Sequence, residues 1–215
     1  MAGVEEVWTI VVGGGSGQRF GSPKQYQLLG EQRVIDRSKA VAESVSDGVV
    51  VVLPAADVDR EGGVAGGDTR SDSVRAGLAA VPSAASIICV HDAARPLAGV
   101  EQYALVIDAV ANGADAAVPG VPVTDTIKTV ANGVVVSTPD RAGLVAVQTP
   151  QAFRAAVLRE AHQGGGSSTD DAALVEESGG TVVVVEGDPQ NRKITEPADL
   201  EWARQIVNSA EGRSQ

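Results

Sequence analysis

Short, dense apolar runs alternate along this chain with stretches whose apolar residues recur every three or four positions. The runs Val7 to Val12, Val49 to Leu53, Ser86 to Val90 and Val182 to Val185 are rich in valine and isoleucine, and Ala114 to Val118 is rich in alanine. They show no inside–outside alternation, which predicts strands covered on both faces, as in parallel sheets. Between them, Val34, Ile35, Ser38, Val41, Ala42 and Val45 fall on one helical face. Val74, Leu78 and Val81 mark a second helix, for which Asp72 or Ser71 is the expected cap. Further helices are predicted over Val100 to Ala111, Phe153 to His162, Thr169 to Glu177 and Pro197 to Val207. Strand, helix and strand in succession require a crossover, and hence an α/β fold with a mostly parallel sheet.

The alternation is interrupted once. Thr126 to Val130 and Val134 to Thr138 are β-prone and joined by Ala131-Asn132-Gly133, a hairpin signal, before Leu144 to Val147 returns to strand character. A two-stranded ribbon is marginal by itself. Packing on a second copy would stabilise it, so a homodimer is expected.

Composition narrows the partners. The chain has 215 residues, 43% hydrophobic, 21% charged and only 3% aromatic, with a net charge of −11. Such a balance argues against sequence-independent binding to nucleic acid, so any anionic ligand must be met by local charge. No apolar stretch approaches the roughly 18 residues of a membrane helix, and no basic region precedes an apolar one at the N-terminus; no membrane partner and a cytoplasmic location are expected. The one cysteine, Cys89, lies inside an apolar run and reads as a small buried hydrophobe.

Local charge is concentrated after the first strand. Gly13-Gly14-Gly15-Ser16-Gly17 leads to Arg19 and Lys24, and no Asp or Glu occurs from Val7 to Gly30. Residues without Cβ let backbone amides approach an anion closely and adopt positive φ, so the loop suits a phosphate. The same residues would also serve a Gly-rich surface turn with two solvated cations. Neither a G-x-G-x-x-G nor a Walker pattern fits, which disfavours a nicotinamide dehydrogenase or a P-loop ATPase.

Other strand ends carry chemistry too: His91-Asp92-Ala93-Ala94-Arg95-Pro96 after the third, and Arg192 with Lys193 after the last. In open α/β sheets ligands sit beyond the carboxyl ends of strands, where Asp92 can reach a ligand or a metal or simply cap a turn. Neither histidine has a serine or cysteine elbow nearby. His91 is expected to hydrogen-bond within the strand-end turn, and His162 to face solvent.

Several ordered segments carry a resemblance. Gly15-Ser16-Gly17-Gln18-Arg19 with Pro23-Lys24-Gln25-Tyr26, Gly66-Gly67-Asp68 before Asp72-Ser73, His91 to Pro96, Asp125-Thr126-Ile127-Lys128, Asp140 to Leu144, Gln148-Thr149-Pro150-Gln151 and Lys193-Ile194-Thr195 span nearly the whole chain. Together they resemble the 2-C-methyl-D-erythritol 4-phosphate cytidylyltransferases. The resemblance implies one Rossmann-like three-layer nucleotidyltransferase domain over 1–215, with 124–147 as a β-ribbon excursion that mediates dimerisation. It implies cytidylyl transfer from CTP to a sugar-alcohol phosphate with Mg2+ as cofactor.

By that resemblance Arg19, Lys24, Arg141 and Lys193 are the catalytic cations. Gly13, Gly14, Gly15 and Gly17 would hold the triphosphate, and Gly67, Asp68 and Ser73 would read cytosine. Asp92 would contact the ribose or the metal. Arg95, Thr126, Thr149, Thr169 and Thr195 would surround the sugar phosphate. The related ribitol 5-phosphate cytidylyltransferases share the glycine loop and the His-Asp pair, and a non-catalytic nucleotide-binding relative is a third reading. Val12-Gly13-Gly14-Gly15 stands where the family usually has Pro-Ala-Ala-Gly, and Gln190 and Arg192 stand where an acid and an apolar residue are more usual.

Overall fold

The computed structural model describes residues 5–15, 20–166 and 168–211. The chain runs from β1 (Val7–Val12) through a 3-10 turn (Lys24–Tyr26) and the small hairpin β2 (Leu28–Leu29) and β3 (Gln32–Arg33). It returns along α1 (Val34–Val45) to β4 (Gly48–Leu53). The acid-rich connection holds a short helix α2 (Val58–Glu61) and the two-residue β5 (Val64–Ala65) before α3 (Arg70–Ala80). Then come β6 (Ile87–Asp92), α4 (Val100–Ala111), β7 (Ala116–Pro122) and the excursion strands β8 (Thr129–Ala131) and β9 (Val134–Ser137). The last part comprises β10 (Val145–Val147), β11 (Gln151–Arg154), α5 (Ala155–Gln163), α6 (Asp171–Glu177), β12 (Val182–Glu186) and α7 (Pro197–Glu211).

Eight of these strands form one sheet. β1 lies at its centre, parallel to β4 on one side and to β6 on the other, with β5 parallel beyond β4. On the far side of β6, β11 runs antiparallel between β6 and β7. β12 is parallel to the opposite edge of β7, and β10 pairs antiparallel with the carboxyl half of β7. The α/β architecture and mostly parallel sheet expected from the apolar runs are therefore present.

Alternate residues of each central strand face opposite helical layers. Ile10, Ile88 and Val90 pack with Val74 and Leu78 of α3, Leu158 of α5 and Val175 of α6. Val7, Val11, Ile87 and Cys89 pack with Ile35 and Ala42 of α1 and with Tyr103 and Val106 of α4. Both faces of the sheet are dry, which is why the strand sequences do not alternate. A smaller cluster joins Leu29 and Val34 to Ile194 and to Leu200, Ala203 and Val207 of α7.

Several boundaries differ from the sequence reading. Phe153 belongs to strand β11, and α5 begins only at Ala155. β6 extends through His91 to Asp92, and β7 continues past Pro119 to Pro122. The cap of α3 is neither Asp72 nor Ser71: Thr69 Oγ1 accepts from Asp72 N, while Asp72 in turn accepts from Thr69 N, a reciprocal box that ties down two first-turn amides. Thr69→Ala should cost about 1 kcal/mol of stability, read from the urea midpoint.

Gly66 and Gly67 are required by close approach to this helix start. A Cβ on Gly66 would lie 2.7 Å from Ser73 Oγ, and one on Gly67 would run into the Asp72 side chain. The sequence order places β4 to one side of β1 and β6 to the other, with α1 and α3 on opposite faces. A crevice opens at such a reversal, beyond the carboxyl ends of the strands.

Candidate active site

A cavity of about 510 Å3 occupies that crevice. Its floor is the end of β1, where Val12 passes into Gly13, Gly14 and Gly15. One wall is the start of α3 with Gly67, Asp68, Arg70 and Ser73; the other carries Phe20, Lys24 and Gln25, and Asp92, Lys193 and Thr195 close the far side. Three described cations and two carboxylates thus face one space, in a chain that is strongly acidic elsewhere.

The glycines serve the cavity by closeness and not by handedness. None of Gly13, Gly14 and Gly15 has positive φ, whereas Gly21 further along the loop does, at 81°. Gly13 N donates to Val52 O at 2.7 Å, continuing the β1–β4 ladder by one step. A Cβ on Gly14 would stand 3.3 Å from Ser73 Oγ, and one on Gly15 would meet nothing within 4 Å, so Gly15 opens on the cavity. Gly17 and Arg19 lie outside the described residues.

Asp92 is the most constrained group. It is only 7% exposed, and its two oxygens accept from different cations: Lys193 Nζ at 2.6 Å and Arg70 Nε at 3.3 Å. Burial alone would push its carboxyl up, but the combined charges of Arg70 and Lys193 outweigh that and hold it well below the usual carboxylate range. It is ionised throughout the physiological range. Its backbone N donates to Thr149 Oγ1 at 3.0 Å.

Thr149 therefore sits behind Asp92 and does not line the cavity. Its hydroxyl also lies 3.1 Å from His91 Nδ1, while His91 Nε2 lies 3.2 Å from Arg95 O. Arg95 O can only accept, so Nε2 carries the proton and donates to it, and Nδ1 of the neutral ring accepts from the Thr149 hydroxyl. Both ring nitrogens of a neutral His91 are satisfied, as expected for a residue that organises the strand-end turn. Burial pushes its pKa down to about 4. A folded value below the ordinary 6.5 means that the unfolded chain binds the extra proton first. The His91 contribution is complete above about pH 6.5 and should be lost as pH falls to about 4. Urea midpoints of the wild type and of His91→Gln across that window should converge as the pH drops.

Lys193 is delivered by a braced loop. Gln148 Nε2 donates to Asp188 O at 2.8 Å, Asn191 Nδ2 donates to Thr149 O at 2.9 Å, and Ile194 N donates to Ala94 O at 2.8 Å. Arg95 joins this bracing, its Nη1 donating to Asn191 O at 2.7 Å. Arg192 turns the other way: its guanidinium stands 4.6 Å from the Trp202 ring centre and pairs with Asp199 on α7. An arginine in place of an apolar residue is accommodated there by stacking, outside the cavity.

The remaining candidates are placed elsewhere. Thr126 and Arg141 lie exposed on the excursion, where Arg141 Nη1 donates to Thr124 O, and Thr169 is exposed ahead of α6. The structure brings together Gly13, Gly14, Gly15, Lys24, Gly67, Asp68, Ser73, Asp92, Lys193 and Thr195, and does not bring Arg95, Thr126, Arg141, Thr149 or Thr169 to the cavity of one chain.

Arg70 was missed by sequence reasoning, and a signal was present. A cation in the first turn of a helix opposes the helix dipole, so Thr69-Arg70-Ser71 at the start of α3 implies an acidic partner nearby. His162, expected in solvent, is 4% exposed, and its Nε2 lies 3.0 Å from Asp171 Oδ1. The partner of Arg70 and the partner of His162 are the same residue, Asp171.

Comparison with known proteins bears on the whole of this arrangement. The family model described as 2-C-methyl-D-erythritol 4-phosphate cytidylyltransferase matches residues 7–209. The chain belongs to that family. It is 42% identical over 217 residues to the 2-C-methyl-D-erythritol 4-phosphate cytidylyltransferase of Nocardia farcinica, covering 94% of each chain. It is likewise 42% identical over 226 residues to the bifunctional enzyme IspD/IspF of Anaeromyxobacter dehalogenans, covering 95% of this chain but 58% of that relative's length. The crystal structure of the Thermus thermophilus 2-C-methyl-D-erythritol 4-phosphate cytidylyltransferase is 31% identical and superposes with a TM-score of 0.80 over 93% of this chain and 98% of its own. No helix among the described residues is long and apolar enough to cross a membrane.

Proposed function

We propose that this chain transfers the cytidylyl group of CTP to 2-C-methyl-D-erythritol 4-phosphate with release of pyrophosphate. What carries the reading is the convergence of Lys24, Arg70 and Lys193 with Asp92 on one cavity at the reversal of the sheet, in a member of this family. A phosphate oxygen of the sugar-alcohol phosphate attacks the α-phosphorus of CTP; the new P–O bond forms as the bond to the β-phosphate oxygen breaks, and pyrophosphate leaves with the electron pair. Both reactants are anions, so the chain's task is to align them and to offset charge.

Lys24, with Arg19 of the same loop, would offset charge on the α-phosphate and the departing pyrophosphate. Gly67, Asp68 and Ser73 would frame the base, and Thr195 would lie beside Lys193 along the phosphates. Asp92 suits Mg2+ as a single hard carboxylate: this ion keeps several waters and is commonly held by one or two carboxylates plus substrate phosphates. No cluster of three His, Cys, Asp or Glu side chains suited to a metal occurs among the described residues. Bound at Asp92, the ion would neutralise charge on the phosphates.

The excursion supports an association of two copies. Val130, Val134, Val135 and Val136 are between 55% and 66% exposed, an apolar strip with no cover in one chain. A second copy would cover it and would bring Thr126, Arg141 and the neighbouring ribbon toward its partner's cavity. A dimeric mass at micromolar concentration is the expected result of light scattering. A monomeric mass would overturn the dimer.

The reaction itself is tested by pyrophosphate release with CTP and Mg2+, offering methylerythritol 4-phosphate and ribitol 5-phosphate in parallel. Release with the first alone is expected. Release with the second alone would move the chain's activity to the ribitol enzymes, and silence with both would reject a transferase acting on either.

A further inference from the structure

Behind the carboxylate that faces the cavity lies one that does not. The Asp171 side chain, at the first residue of α6, has no exposure, and its two oxygens are taken by Arg70 Nη1 at 2.6 Å and His162 Nε2 at 3.0 Å. Arg70 directs Nε, at 3.3 Å, to Asp92. One guanidinium therefore spans from the start of α6 to the end of β6, and a buried histidine backs the far carboxylate. Burial would push the Arg70 guanidinium down, but Asp92 and Asp171 more than offset it, so it stays charged.

The shorter contact of Arg70 is the one away from the cavity. Asp171 thus has the firmer hold and leaves a single N–H for Asp92, whose second oxygen stays with Lys193. Guanidinium and carboxylate prefer to meet through two parallel N–H donors. With its partner at Asp171 gone, Arg70 would be free to turn its fork fully onto Asp92 and compete with Lys193 for it.

We infer that Asp171 is a positioning residue: acting through Arg70, and backed by His162, it sets the orientation in which Asp92 presents its Oδ2 edge to Lys193 and to the bound nucleotide. The inference rests on the proposed reaction for its kinetic consequence, but the geometry of Asp92 can be read without turnover.

Asp171→Asn keeps the shape and removes the charge. Measured beside Asp92→Asn and the double variant, it should lower kcat about tenfold or more while changing the KM for CTP by less. The double variant should be no slower than Asp92→Asn alone, because nothing then remains to be positioned. Losses that multiply would mean a merely structural role and would overturn the inference. In the ligand-free protein, the 13C shift of the Asp92 carboxyl should move in Asp171→Asn, and an unmoved signal would also overturn it. Should that variant not fold, the wild type still decides: the Arg70 guanidinium must show separate, slowly rotating N–H signals, and an averaged signal refutes the hold. A wild type with a locked Arg70 but no cytidylyl transfer would reject the proposed reaction, leaving the carboxyl shift to judge the positioning role.

Discussion

Lys193→Ala should lower the turnover of the proposed reaction by about a hundredfold or more while leaving the fold intact. A preorganised donor aimed at charge that develops on a transferring group is worth about 3–4 kcal/mol. Lys193 has that preorganisation: its ammonium is 2.6 Å from Asp92, and its loop is pinned through Gln148, Asn191 and Ile194 independently of the side chain. The side chain is 41% exposed, and Asp92 keeps Arg70 when it is removed, so no buried charge is stranded. The loss should therefore fall on kcat, with the melting temperature nearly unchanged. A loss below about tenfold, or one confined to KM, would remove Lys193 from the charge-stabilising set.

Phe153→Ala carries the largest expected effect on stability, about 3–5 kcal/mol. Phe153 is wholly buried, opposite Ile88 of β6 on one side and Ala116 of β7 on the other, in the layer shared with Leu158 and Val175. Its strand is four residues long and, among the described strands, is the one that joins the β1 half of the sheet to β7 by pairing. Backbone pairing on both edges holds β11 in place, so the site cannot collapse to fill the space left by a ring. The urea midpoint should fall with the slope unchanged. A cost below about 2 kcal/mol would show that α5 and α6 close over the gap.

The two variants separate the two things this chain has to do. One alters a charge on a rigid frame, and the other alters the frame. Asp92 belongs to both, since its backbone ends the strand that Phe153 pairs with and its carboxylate faces the cavity.

Much of this was legible along the chain because it depends on local chemistry. A short, dense apolar run such as Val7 to Val12 reads as a strand covered on both faces, and the helical spacing from Val34 to Val45 returns the chain, so the α/β alternation follows from unbroken apolar runs alternating with a 3.6-residue period. The glycines, Lys24, Asp92 and Lys193 could be nominated because they stand at strand ends, where side chains face the crevice. What pairs with what was decided elsewhere. β11 was invisible because Gln151-Ala152-Phe153-Arg154 has too few apolar residues for a pattern; it is a strand only because β6 and β7 offer it partners on both edges. His162 is buried only because α6 folds back over α5, bringing Asp171 to it, and Arg70 reaches Asp92 and Asp171 across separations of 22 and 101 residues. The sequence alone determined the central parallel strands and the long helices, the acidic balance and most of the groups that face the cavity. The tertiary structure alone decided which charges neutralise one another, because Coulomb energy depends on distance in space and local periodicity carries no record of it.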